Sequence, residues 1–181
     1  MRTTLPVTLI VALIAGCATI PSEECARTDW HALGVEDGRD GYPHSRIERH
    51  AEACAQAGIV PDAPAWEAGR QLGLPEYCQL PNAIEHGLAG RRYAGVCDDA
   101  DFARLHDAAR QLADTRREIE SIDRDLTWRE RQLATSKKLD ERDRARLWVD
   151  IRSLERKRDR LRDDRIDAAM RLDRLTRELG L

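Results

Sequence analysis

From Asp98 to Leu179 the chain has neither proline nor glycine, although it carries seven prolines and eleven glycines in all. A stretch of that length without a helix breaker predicts uninterrupted helix. All five cysteines and five of the eight aromatic residues precede it. Two regions follow: a turn-rich, cysteine-containing helical module over 17–97 and a helical stretch over 98–181. At 181 residues there is room for one modest domain and an appendage, too little for a two-domain cofactor enzyme. The near balance of 30 basic and 33 acidic residues removes the net positive field that nucleic acid requires, so no nucleic-acid partner is expected.

Within the helical stretch an apolar line recurs every seven residues. It runs Leu105, Leu112, Ile119, Leu126 and Leu133, then Leu147, Leu154, Leu161, Ala168 and Leu175. Such a repeat indicates a left-handed coiled coil. Before residue 133 the companion line lies three positions later, through Ala108, Thr115 and Ile122. After residue 147 it lies four positions later, through Ile151, Leu172 and Leu179. The two seam roles therefore exchange, as an antiparallel hairpin requires. The expected fold class is all-α: a small disulfide-braced multi-helix module followed by a long coiled-coil hairpin turning near 136–139. Pairing Leu126 with Leu147, Ile122 with Ile151 and Leu105 with Ala168 sets the turn at Ser136-Lys137, with Asp140 capping the second helix. The alternative is one continuous helix with a four-residue stutter in a parallel homodimer, so a homo-oligomer through the coiled coil stays open. Trp128, Lys137, Lys138 and Trp148 cluster near the proposed tip and form a candidate interaction site. From residue 98 the balance is 22 basic to 21 acidic, which argues against a DNA-gripping arm.

The amino terminus reads as an address over 1–16. Met1-Arg2 is a short cationic start, and Leu5 to Ala15 is nearly all apolar. About eleven residues suit a signal-peptide core and fall short of the roughly twenty that span a bilayer. The run ends Leu13-Ile14-Ala15-Gly16-Cys17 and resembles the bacterial lipoprotein signal. That resemblance implies lipidation of Cys17 and, because Ala18 follows, an outer-membrane anchor facing the periplasm. Each buried acyl methylene would contribute about 0.8 kcal/mol to the attachment.

Four cysteines then remain: Cys25, Cys54, Cys78 and Cys97. An even count in an exported chain reads as two disulfides. Three pairings are open. Cys25–Cys54 with Cys78–Cys97 is favoured because each closes a local loop, contributing roughly 3–4 kcal/mol by chain entropy. A zinc site drawing on Cys25, Cys54, His50, His31 or His86 is the rival. The absence of a CxxC pair counts against it, so no metal and no cofactor are expected.

A phrase recurs in the module: Trp30-x3-Gly34-x3-Gly38-x2-Gly41, then Trp66-x2-Gly69-x3-Gly73 leading to Tyr77-Cys78, then His86-Gly87-x2-Gly90-x2-Tyr93-x3-Cys97. Glycines at this spacing share a helical face and admit a neighbouring backbone. Others among them, Gly58 especially, read as helix ends. Breaks at Pro43, Pro61, Pro64, Pro75 and Pro81 separate short helices. With Asp29, Asp37, His50, Pro61-Asp62 and Leu74, these residues resemble the bacterial lipoprotein family of domain of unknown function 2799 over about 23–97. Trp66 departs from that pattern, which has Tyr there. The resemblance implies an envelope lipoprotein and supplies no activity.

No GxSxG, HExxH or Walker loop is present, and the five histidines have no nucleophile and orienter in view, so no catalytic residue and no enzyme are expected. The functional expectation is a membrane-tethered interaction or scaffolding protein, attached through Cys17 and carrying a coiled-coil arm for an envelope protein partner. The alternative is a module that binds a small ligand or metal, with a pocket lined by Trp30, Trp66, Tyr77 or Tyr93.

Overall fold

The computed structural model describes residues 20–136 and 139–181. All regular structure there is helical. The α-helices are α1 (Trp30–Arg39), α2 (Arg46–Cys54), α3 (Ala63–Tyr77), α4 (Leu80–Leu88), α5 (Ala100–Thr135) and α6 (Glu141–Glu178). Aspartates begin four of them, each carboxylate accepting a backbone N–H of the first turn: Asp29 from Ala32, Asp62 from Ala65, Asp99 from Asp101 and Asp140 from Asp143. Pro64 and Pro81 sit in the first turns of α3 and α4, where no N–H is needed. Pro75 does not break the chain as expected. It lies inside α3, and the helix continues to Tyr77. One backbone bond is forgone in the last turn, where packing of Leu74 and Tyr77 outweighs it.

Helices α1 and α3 meet backbone to backbone. A Cβ on Gly34 would overlap the Trp66 carbonyl oxygen, and one on Gly38 the Arg70 carbonyl oxygen. Reciprocally, Gly69 lies on the His31 carbonyl and Gly73 on that of Val35. Two glycines spaced G-x3-G on each helix leave room for the facing backbone, which is why the recurring phrase exists. Gly87 makes the same approach between α4 and α5, where an added Cβ would lie 2.5 Å from the His106 carbonyl oxygen. Gly41 instead takes φ +73° and leaves room for the Tyr77 ring.

The composition break at residue 97 is not a packing break. Phe102, Leu105 and Ala108 of α5 share one buried cluster with Tyr77, Ala83 and Leu175. The first turns of α5 thus complete the module's core, and Leu172 and Leu179 of α6 close it from the other side. Farther out, a second cluster is built from α5 and α6 alone: Ile122, Leu126 and Ile151, flanked by Leu133, Leu154 and Leu161.

The two long helices, 36 and 38 residues, lie antiparallel. Arg104 pairs with Glu178 at one end (3.7 Å), and the Arg144 guanidinium donates to the Leu133 carbonyl at the other (3.5 Å). The exchanged seams appear where the sequence places them, with Ala108, Thr115 and Ile122 buried on α5 and Ile151 buried on α6. The register differs from the expectation. Leu105 shares its cluster with Leu172 and Leu175 rather than facing Ala168, and Lys157 pairs with Glu118 at 2.6 Å rather than facing Arg116. Against the expected pairing the cross-pairs are displaced toward the carboxyl end, by two residues at Glu118–Lys157 and by nine at Arg104–Glu178. A seven-residue line laid on itself matches equally well after a seven-residue slide, so the pattern carries no information on this choice. The helix ends flank the turn expected near 136–139, with α5 ending at Thr135 and α6 beginning at Glu141.

Two outcomes test this packing. Gly34→Ala gains helix propensity yet should lower stability by about 1–3 kcal/mol in chemical denaturation, because backbone cannot yield as a side chain does. A chain stopped after Cys97 should lose helical circular dichroism in the module itself, since Phe102, Leu105 and Ala108 go with it.

Candidate functional site

The glycine contact sets α1 and α3 close enough for Asp37, Trp66 and, from α2, His50 to meet. Asp37 Oδ2 accepts from Trp66 Nε1 at 2.8 Å and from His50 Nε2 at 2.7 Å. Trp66 and His50 are wholly buried and Asp37 nearly so. The Arg46 Nε lies 3.7 Å from the second carboxylate oxygen, and its guanidinium stacks over Tyr42 with 4.0 Å to the ring centroid. His50 Nδ1 has no hydrogen-bond partner among the described residues. This is a three-helix polar core held by one carboxylate. A lone buried carboxylate is costly, so the two donors and the nearby cation are what make its burial tolerable.

Around it runs a largely buried rim that opens to solvent at His44. Arg70 donates to both Glu67 oxygens at 2.8 Å and to the Tyr42 carbonyl at 3.2 Å, while His44 Nδ1 lies 2.9 Å from Glu67. The Arg70 hydrogen bonds foremost, helped by Gln71 and His44 and opposed by burial, pull the Glu67 carboxyl from its ordinary 4.5 down to about 2. The network therefore tightens the path from α3 to the α1–α2 connection.

The two disulfides are Cys25–Cys54 and Cys78–Cys97. The first is buried and ties the segment before α1 to the end of α2. The second is half-buried and sits beside an aromatic cluster. There Tyr77 and Tyr93 flank Phe102, with centroids 5.3 and 5.0 Å away, and His86 meets Tyr77 edge-on at 5.0 Å. Burial, followed by Arg91, lowers the His86 imidazole below its ordinary range. Burial raises the Tyr77 phenol. The Tyr93 hydroxyl accepts from the Cys97 N–H at 2.9 Å and donates to its carbonyl, closing the 93–97 loop on itself. A groove of about 570 Å³ opens between this loop and α3, lined by Arg70, Gln71, Leu74, Val96 and Asp98 among others.

These placements decide several expectations. Cysteines held in disulfides offer no thiolate, His50 is committed to Asp37, and no group of three His, Cys, Asp or Glu among the described residues could hold a metal ion. The zinc reading is set aside on that donor set. Trp66 and Tyr77 are buried within the core and do not line an open pocket. Trp128 and Trp148 are 59% and 54% exposed, but they do not form one patch. Trp128 stands two residues beyond the seam residue Leu126, about 200° round α5 and so on its outer face. Trp148 instead flanks the seam, beside a groove of about 370 Å³ whose floor includes Leu133 and Ile151 and whose edges carry Glu130, Arg144 and Glu155. Cys17, Lys137 and Lys138 lie outside the described residues.

The Asp37–His50–Trp66 core was not legible beforehand. The nearest signal is that Asp37 and His50 sit in the family pattern, which says nothing of their contact. Two measurements test it. Asp37→Ala strands two buried donors and should cost about 3–5 kcal/mol of stability in denaturant unfolding, whereas Trp66→Phe removes one donor and should cost about 1–3 kcal/mol. The lowered Glu67 stabilises the fold fully above pH 4.5, and that contribution is lost as the pH falls toward about 2. Glu67→Gln should flatten the acid limb of a stability-versus-pH curve across that window.

Neither the curated proteins nor the solved structures contain a match to the chain. A family model does match, over residues 29–113, a span from the cap of α1 through the first turns of α5. That span ends well beyond residue 97 and takes in the α5 residues that complete the module's core. By this match residues 29–113 of the chain belong to the family described as Protein of unknown function (DUF2799).

Proposed function

We propose that this protein is a non-catalytic cell-envelope lipoprotein that holds a helical docking arm away from its membrane anchor. Acyl chains on Cys17 fix it to the outer membrane on the periplasmic side, the disulfide-braced module stands on that anchor, and α5 with α6 meets a protein partner. The observation that carries the reading is the second cluster, built only from α5 and α6 and bordered by the exposed Trp148 groove. At 1.5 Å per residue, helices of this length run about 55 Å, most of it free of the module. Residues that serve only stability do not require such a projection. A half-exposed indole beside an apolar floor is the kind of anchor that dominates protein interfaces. The leader pattern ending at Cys17 and the paired cysteines support the compartment.

Two experiments in intact cells test the two halves of the proposal. Metabolic labelling with a fatty-acid analogue should mark the protein, and Cys17→Ser should abolish the label and move the chain out of the membrane fraction. A photoreactive residue at position 148 should crosslink one protein partner, and the same residue at position 166, exposed elsewhere on α6, should not. Equal capture from both positions, or none from 148, would overturn the docking role.

A further inference from the structure

We propose that the amino end of α2 carries an anion site that takes the phosphate group of a phosphate ester. A pocket of about 280 Å³ lies between the α1–α2 connection and the chain just after α4, and it is lined by Arg46, Arg49, Arg92, Ser45, Tyr42 and Asp40 among others. Three cationic side chains thus converge on one small concavity from two separate parts of the sequence. One carboxylate, Asp40, lowers their field without cancelling it.

Two of the three arginines are not consumed by the fold, and the third only in part. Arg49 and Arg92 are exposed and have no ion-pair partner among the described residues. Arg46 is held in place by the Tyr42 ring, yet its Nε lies 3.7 Å from Asp37, beyond hydrogen-bonding distance, and has no hydrogen-bond partner. Asp37 is already shared by His50 and Trp66, so it leaves Arg46 only part of a counter-ion. Arg46 and Arg49 stand three residues apart on one helical face, where like charges repel. An anion between them and Arg92 relieves that repulsion.

The donors decide the class of ligand. The first N–H groups of α2 are occupied, Arg46 N with the Pro43 carbonyl at 2.9 Å and Glu48 N with the Ser45 carbonyl at 3.2 Å. Binding therefore falls to the guanidinium forks and to the Ser45 hydroxyl, which makes no capping hydrogen bond. Planar forks match tetrahedral phosphate oxygens in pairs. The volume sits just under the roughly 300–1,000 Å³ of sites for larger molecules, leaving space for a phosphate and the first atoms of what carries it. A phospholipid headgroup and a free phosphate ester present the same chemistry. The site stands on its own residues and does not depend on the docking role of α5 and α6.

The test uses the full chain with Cys17→Ser, so that no acyl anchor contributes. Inorganic phosphate is titrated by calorimetry, and vesicles of phosphatidylglycerol mixed into phosphatidylcholine are compared with phosphatidylcholine alone by co-sedimentation. Saturable phosphate binding is expected, weakened about tenfold or more in the R49Q/R92Q double variant. The variant should keep its helical circular dichroism, because neither side chain has a partner to lose among the described residues. R152Q/R156Q, which removes the same charge from exposed positions on α6, should bind as the parent does. Vesicle binding that inorganic phosphate competes away assigns the headgroup as the source. Phosphate binding without vesicle binding assigns a soluble ester. No saturable binding to either, or equal weakening by both double variants, overturns the site.

Discussion

The architecture depends on a contact between two peptide backbones. Where Gly34 and Gly38 lie on Gly69 and Gly73, no side chain intervenes, and the distance between α1 and α3 is fixed by carbonyl oxygens against α-carbons. The buried polar core around Asp37 is arranged by that distance. It brings the Trp66 indole within reach of Asp37, allows His50 to complete the set from α2, and leaves Arg46 at the margin with its charge incompletely answered. A module with few aromatic side chains and a small apolar core gains a unique geometry from such a contact, because only one alignment of the glycines lets the two helices approach.

The two disulfides reinforce this geometry at different depths. Cys25–Cys54 is fully buried and ties the chain before α1 to the end of α2, bracing the helix that supplies His50. Cys78–Cys97 joins the end of α3 to the segment that leads into α5. It therefore couples the glycine-packed pair to the aromatic cluster on which the long helices are seated. Phe102 and Leu105 insert into that cluster from the start of α5, and Leu172, Leu175 and Leu179 from the end of α6. Both helices of the rod are thus rooted, at the same end, in one core.

Much of this was legible because it is periodic or punctuated. The shift from a plus-three to a plus-four companion line announced two antiparallel seams, and Asp140 announced the start of α6. Loop closure favoured, among three open pairings, the cysteine pairing that is present. What was not legible has a common cause. The hairpin register is degenerate under a seven-residue slide, so Leu105 facing Ala168 and Leu105 facing Leu175 are equivalent in the pattern. The role of Asp37 depends on three helices meeting, and its neighbours in sequence, Glu36 and Gly38, give no hint of Trp66 or His50. The break at residue 97 marks a change of composition, whereas the core is continuous through Phe102 and Ala108. Trp128 and Trp148 are near each other in height along the rod, yet the angle around α5 separates them.

Because the rod is rooted at one end only, its reach behaves as an adjustable dimension. Seven residues added to each arm between the two clusters would keep every leucine in its lane and leave the seated turns undisturbed. The far end would move outward by about 10 Å. A lineage could therefore match the span between anchor and binding partner by whole repeats, as a ruler is chosen by length, without renegotiating the fold at its base.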